Sequence, residues 1–226
     1  MDFYEFLKKD EAAEYVKRVG IEYRFDCYHE NVIEGCHRLA DFLEAFDKDF
    51  GKARLVFEKN CVENKYGRSC FKLGNYTMIG RGGDKNLQDA YKAFKLGCEY
   101  DDGASCHNAG LMHQTKRREG KEDFVEAAKL LEHGCDLDYV NSCQILSTMY
   151  ITGKPGLEKD MAKAFKAGFK ACEGGHMYAC ANISQMYKRG DGVQQSDELA
   201  AKYKEKAKEL YQKVTEFDQQ ELKFGE

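Results

Sequence analysis

Ten cysteines carry most of the chemistry visible in this chain, and their spacing is regular. They fall as Cys27/Cys36, Cys61/Cys70, Cys98/Cys106, Cys135/Cys143 and Cys172/Cys180, separated by 9, 9, 8, 8 and 8 residues, with first members 34, 37, 37 and 37 apart. Cysteines in such a pattern serve as disulfides, metal ligands or buried thiols. Zinc sites use C-x2-C or C-x4-C joined by a second such pair. Here no histidine series shares the register, so no metal site is expected. A gap of this length spans one helix–helix turn and can bring two cysteines within the Cα separation of roughly 4.4–6.8 Å that a disulfide needs. The even, periodic count speaks against free thiols. The expectation is five local bridges, each closing a loop for which the chain-entropy model gives roughly 2.5 kcal/mol.

Other candidate chemistry is thinner. Ser69–Lys72 reads S-x-x-K, the β-lactamase nucleophile motif, but neither S-D-N nor K-T-G accompanies it. Asn75 and Asn182 open glycosylation sequons inside segments that read as helix. "TKRREGK" at 115–121 is a basic cluster in an inter-helix turn. No C-x-x-C-H occurs, which excludes covalent haem attachment. Non-covalent haem needs one or two axial ligands, usually His or Met, and His107, Met112 and His113 share one helical segment. A packing role outweighs ligation for them. His113 stands seven after Cys106, where other repeats place Leu43, Thr77, Tyr150 and Tyr187, and Met112 continues in Met149 and Met186. No pair has the C-x-x-C form of a thiol–disulfide reductase, so no catalytic residue is nominated.

The elements that position these residues share the cysteine period. Three residues after each second cysteine stand Leu39, Leu73, Ala109, Leu146 and Ile183; four after it stand Ala40, Gly74, Gly110, Ser147 and Ser184; six after it stand Phe42, Tyr76, Met112, Met149 and Met186. Those offsets describe one helix face whose small residue admits a close neighbour. Asp49, Asn86, Asp123 and Asp160 recur four residues before Ala53, Ala90, Ala127 and Ala164, as N-caps of a second helix. Asp197 and Ala201 extend that series by another 37 residues. Gly-rich turns lie between. Each unit therefore reads as helix A from the second cysteine, a turn, and helix B from the cap to the next first cysteine.

This gives an all-α fold, an α/α solenoid of five repeats in a single domain over 1–226. An N-terminal helical cap takes about 1–35. Repeats take about 36–69, 70–105, 106–142, 143–179 and 180–215, and a short tail follows. Such an array offers a long surface for an extended partner. A net charge of −4 suggests no nucleic-acid partner. The N-terminus has no apolar run of signal-peptide length and is too acidic for an ordinary mitochondrial presequence. No apolar stretch is long enough to span a membrane.

The pattern C-x2-L-G/S-x-M/Y, then G-x-G, then D-x3-A-x3-F-x3-C resembles the Sel-one-like repeat family over about residues 20–212. Within it, paired cysteines mark secreted bacterial proteins, some linked to β-lactam binding, and a metazoan mitochondrial branch. "GCHRLADFLE", "SCFKLG", "SCHNAGL" and "ACANISQMYKRGDGV" are more similar to the second. That resemblance implies an intermembrane-space factor for assembly of cytochrome c oxidase, and of other respiratory complexes, acting as a binding scaffold. It implies respiratory-chain subunits or assembly proteins and copper metallochaperones as partners. It also implies a disulfide-relay oxidoreductase during import, although C-x7-C and C-x8-C depart from the usual imported pairs. The alternative it carries is a haem-binding thiol–disulfide reductase acting on copper-site cysteines. A secreted β-lactam-binding protein fits less well. The scaffold itself requires no cofactor.

Overall fold

The computed structural model describes residues 3–115 and 122–224, with side chains described for 10–115 and 122–216. Among the described residues there are eleven helices: α1 Phe3–Tyr28, α2 Ile33–Ala45, α3 Phe50–Val62, α4 Gly67–Ile79, α5 Leu87–Glu99, α6 Gly103–His113, α7 Phe124–Asp136, α8 Val140–Thr152, α9 Met161–Glu173, α10 Met177–Arg189 and α11 Asp197–Phe224. The all-α class read from the period is what the chain adopts. It divides into two compact units, Met1–Ser105 and Cys106–Glu226.

In the first unit Leu39, Ala40, Ala53, Phe57 and Tyr76 are buried together. In the second, Leu131, Leu146, Met149, Ile183 and Met186 form the core with the periodic alanines Ala127, Ala164 and Ala200. The small residues of helix A do what their size allows. A Cβ on Gly74 would sit 2.5 Å from the Phe94 ring, and one on Gly110 would sit 2.9 Å from Leu131 Cγ. The two serines of the series add a bond at the same contact: Ser147 Oγ donates to the Ala164 carbonyl at 2.8 Å, and Ser184 Oγ to that of Ala200 at 2.7 Å.

The caps follow the sequence for four helices. The side chains of Asp49, Asn86, Asp123 and Asp160 accept from the first-turn amides of α3, α5, α7 and α9. The fifth differs. Ser196 caps α11, its Oγ accepting from Leu199 N at 3.2 Å, and Ala200 rather than Ala201 is buried. The turn before α11 is one residue shorter than the turn before α9, so the strict 37-residue extension overshoots.

A second difference lies at the start of helix A. The sequence places it at the second cysteine; all five begin three residues earlier. Each junction turn holds one left-handed residue, Asn31, Lys65, Asp101, Asp138 or Gly175. After it the amides of Val32, Tyr66, Asp102, Tyr139 and His176 bond the carbonyl of the residue preceding the first cysteine. That bond closes the turn early and leaves a further helical turn before the second cysteine. The G-x-G turns after α4 and α10 have a separate cause. Gly80 and Gly190 end their helices in the left-handed region, and a Cβ on Gly82 or Gly192 would strike the carbonyl of Phe50 or Met161.

Candidate functional site: stapled junctions, a buried polar seam and a groove on α11

All ten cysteines are disulfide-bonded. Cys27–Cys36, Cys61–Cys70, Cys135–Cys143 and Cys172–Cys180 have Cα–Cα distances of 4.4, 4.7, 4.6 and 4.6 Å. In each, the first cysteine occupies the penultimate position of one helix and the second lies in the first turn of the next, so the bridge ties successive helices. Cys61, Cys70, Cys172 and Cys180 are fully inaccessible. Cys27 and Cys36 retain 5% and 6% exposure and line a cleft of about 160 Å³ with Leu55, Lys59 and Asn64. Cys135 lines another of about 160 Å³, with Lys163, Lys166 and Lys170 among its walls.

Beside the Cys61–Cys70 bridge runs a buried polar seam. Asn60 Nδ2 donates to the Ile33 carbonyl at 3.1 Å and to Ser69 Oγ at 2.8 Å. Ser69 Oγ lies 2.9 Å from His37 Nδ1, and His37 Nε2 faces Asp41 Oδ2 at 3.6 Å. A proton on Nε2, toward the carboxylate, leaves Nδ1 to accept from the serine. Burial pushes the His37 pKa below the ordinary imidazole value, against Asp41, which raises it. Around it Lys72 Nζ binds Asp41 at 2.8 Å and Glu44 at 3.2 Å, and Arg81 binds Glu44 at 2.7 Å. Burial works to raise the Glu44 pKa, but Lys72 and Arg81 outweigh it and hold the carboxyl below the usual range. Tyr66 bonds Glu34, the largest cause of that carboxyl's lowered pKa.

The arrangement recurs in the second unit with fewer charges. His107 Nδ1 lies 3.2 Å from Ser142 Oγ, and the ring packs on Tyr139 at 5.1 Å. Its pKa is lowered by burial alone. Leu111 stands where Asp41 would, so no carboxylate faces this imidazole from that position.

The candidate haem residues are placed by the same packing. Met112 and His113 on α6 are 5% and 2% exposed. His107 is half-buried with Nδ1 directed at Ser142, leaving Nε2 as its remaining ring nitrogen. In this packing the three present a haem with only that one edge, and no haem-dependent step is assigned. Ser69 of the S-x-x-K match is fully buried, and Lys72 is held by Asp41 and Glu44, so the match is structural. Asn75 and Asn182 lie within α4 and α10. Of the basic cluster, residues 116–121 lie outside the described residues.

The sequence reading missed three features. Ser69 meets His37 across 32 residues and Asn60 reaches the Ile33 carbonyl across 27, with no local motif to announce either. The Asp41–Lys72–Glu44–Arg81 network is dispersed likewise, its half-exposed charges meeting across α2, α4 and the turn after α4. A groove of about 540 Å³ between α10 and α11 is lined by Tyr178, Ala181, Gln185, Lys204, Ala207 and Tyr211, with Lys208 beside them. Its signal was the apolar stripe on an otherwise charged last helix.

No family model matches the chain. Among solved structures, a Sel1 repeat protein from Oxalobacter formigenes superposes with a TM-score of 0.69 at 20% identity, covering 88% of this chain and 83% of that one. The protective antigen c5321 of uropathogenic Escherichia coli, described as displaying an SLR fold, gives 0.71 at 17% identity, covering 92% and 49%. With the stapled helix pairs described above, these define the fold class: an all-α array of Sel1-like repeats. Cytochrome c oxidase assembly factor 7 of Xenopus tropicalis is 40% identical over 227 residues, 98% of each chain. The chain belongs to the cytochrome c oxidase assembly factor 7 family. The Drosophila melanogaster homolog is 42% identical over 116 residues, 50% of this chain and 44% of that one, and the Homo sapiens protein is 39% identical over 112 residues, 48% of each. The chain thus spans about half the length of the first curated relatives it matches.

Proposed function

We propose that the chain is a disulfide-stapled helical-repeat scaffold for assembly of cytochrome c oxidase in the mitochondrial intermembrane space. It binds respiratory-chain subunits or assembly proteins, copper metallochaperones among them, and receives its disulfides from a relay oxidoreductase on import. The observation that carries the role is the 40% identity to the Xenopus tropicalis assembly factor across 98% of both chains. The compartment rests on the cysteines. Ten disulfide-bonded cysteines call for an oxidising environment. Among the described residues, no helix is long and apolar enough to cross a membrane.

The work assigned to the chain is binding rather than chemistry. The serine and histidine of the polar seam meet in the interior, where no substrate reaches Ser69. The test is depletion of the protein from cells, with re-expression of a tagged copy. Assembled oxidase on native gels should fall and be restored. The tag should resist protease in intact mitochondria and be digested once the outer membrane is ruptured. Normal oxidase levels after depletion, or protection persisting after rupture, would overturn the proposal.

A further inference from the structure

The groove on α10 and α11 can be read against the preceding repeat. Ser147 bonds the Ala164 carbonyl and Ser184 that of Ala200, so α9 and α11 correspond at an offset of 36 residues. At that offset Gly168, Ala171 and Cys172 of α9 correspond to Lys204, Ala207 and Lys208 of α11. On α9 these positions receive the next helix A: Cys172 is bonded to Cys180, and Ile183 lies over Gly168, 3.4 Å from where its Cβ would be. Among the described residues no helix fills the equivalent place on α11, and the groove lies there.

The groove keeps the shape of a helix seat but not its chemistry. Ala207 remains small, as Ala171 is. Lysines replace the glycine and the cysteine, so a closely packed, covalently tied neighbour is no longer specified. The flanks are apolar and open, with Tyr178 64% and Tyr211 58% exposed. Among the described lining residues there is no carboxylate, whereas two ammonium groups stand there. Lys208 also meets Glu205 at 2.8 Å, but both are exposed, and such a pair exchanges readily.

We propose that this groove binds an amphipathic helix of a partner protein, with a small-residue stripe against Ala207 and carboxylates three residues apart meeting Lys204 and Lys208. Those carboxylates take the places that Cys180 and Ile183 hold on the preceding repeat. Helix-in-groove recognition reads such anchors at spacings of three and four, and the complementary charges set partner choice. This deepens the scaffold reading by giving it one surface and one class of partner; it rests on that reading only for its setting in the cell.

The experiment uses the purified full chain and two labelled synthetic helical peptides of about 20 residues, a length that holds a helix in water. They are identical except for Glu or Lys at the two paired positions. Fluorescence anisotropy should show saturable binding of the Glu peptide alone. The Lys204→Glu/Lys208→Glu variant should weaken it at least about tenfold, a loss in the range for truncated interfacial charge pairs, and transfer preference to the Lys peptide. Ala207→Arg should abolish binding while circular dichroism is unchanged. Equal binding of both peptides, no binding of either, or affinity unaffected by Ala207→Arg would overturn the proposal. So would concentration-dependent self-association that Ala207→Arg removes, which would assign the groove to a second copy. None of these outcomes bears on oxidase levels after depletion, so failure here and failure of the scaffold reading are separable.

Discussion

His37 Nδ1 lies 2.9 Å from Ser69 Oγ, joining the second turn of α2 to the first turn of α4 one repeat later. Ser69 precedes Cys70 and bonds Asn60, which precedes Cys61. The disulfide is thus paralleled by a hydrogen-bonded path through the residues beside its two cysteines. His107 and Ser142 repeat the relationship beside Cys143 at 3.2 Å, without an asparagine partner, since Gly134 stands at that position.

Deleting the Ser69 hydroxyl should therefore cost more than deleting that of Ser142. Ser69→Ala orphans one proton of a buried amide and the acceptor nitrogen of a buried imidazole, a loss of about 1–3 kcal/mol. Ser142→Ala removes a single longer bond and should fall near the low end, about 1 kcal/mol. Urea titrations of the two variants measure the order. Equal losses would mean that the Asn60 bond contributes nothing.

The imidazoles predict a pH dependence. Burial lowers the pKa of His37, His107 and His176, so the unfolded chain takes up protons first as pH falls. Stability should be full above pH about 6.5, the unfolded value, and decline as pH drops below it. Glu34, Glu44 and Glu173 are held below the carboxylate range, so their contribution is lost only under pH about 4.5. Urea midpoints between pH 7.5 and 5 should fall, and His37→Gln/His107→Gln should flatten the slope. A wild-type midpoint constant over that range would refute the assignment.

Two glycine-to-alanine changes should have opposite signs. Alanine gains up to about 1 kcal/mol over glycine within a helix. At Gly51 the added Cβ meets nothing nearer than Asp49 Oδ1 at 3.7 Å, so stability should rise. At Gly74 it would sit 2.5 Å from the Phe94 ring, and overpacking of about 1–3 kcal/mol should win. Thermal melts decide, and a stabilising Gly74→Ala would show that α4 and α5 separate at little cost.

The cap of α11 marks where periodic reasoning ran out. Extending the series by 37 residues selects Asp197, but the shorter turn hands the role to Ser196. Ser196→Ala should cost about 1 kcal/mol, and Asp197→Ala only the few tenths due to a charge near a helix N-terminus. The reverse order, by urea titration, would restore the strict period.

Helix pairs, the four caps before α3, α5, α7 and α9, and cysteine partners were legible because each repeats locally, within one turn or one junction. The left-handed turn residues were not, because Lys65 and Asp101 occupy that conformation without the glycine that usually announces it. Asn60, Ser69 and His37 escaped notice because a polar residue's partner across a repeat is fixed by helix stacking, not by spacing along the chain. The groove was hidden for a different reason. It consists of a neighbour's place left open among the described residues, visible only when Lys204 and Lys208 are aligned with Gly168 and Cys172.

The bridges should also differ in how readily they are reduced. Thiol–disulfide exchange requires an attacking thiolate to reach a sulfur along the S–S axis, so access governs the order in the folded state. Cys61–Cys70 and Cys172–Cys180 expose no sulfur, whereas Cys27–Cys36 borders a cleft on both residues and Cys135–Cys143 through Cys135. The cleft at Cys135 carries three lysines against the carboxylates of Glu132 and Asp136, a small net positive charge toward an approaching thiolate. Graded dithiothreitol under native conditions, trapping with iodoacetamide and peptide mapping should show Cys135–Cys143 and Cys27–Cys36 opening first. The two inaccessible bridges should open only as the helices unfold, with the same urea dependence as loss of helicity. Opening of Cys61–Cys70 or Cys172–Cys180 ahead of both, without loss of helical signal, would show that these junctions breathe in the folded protein and that burial does not set the order.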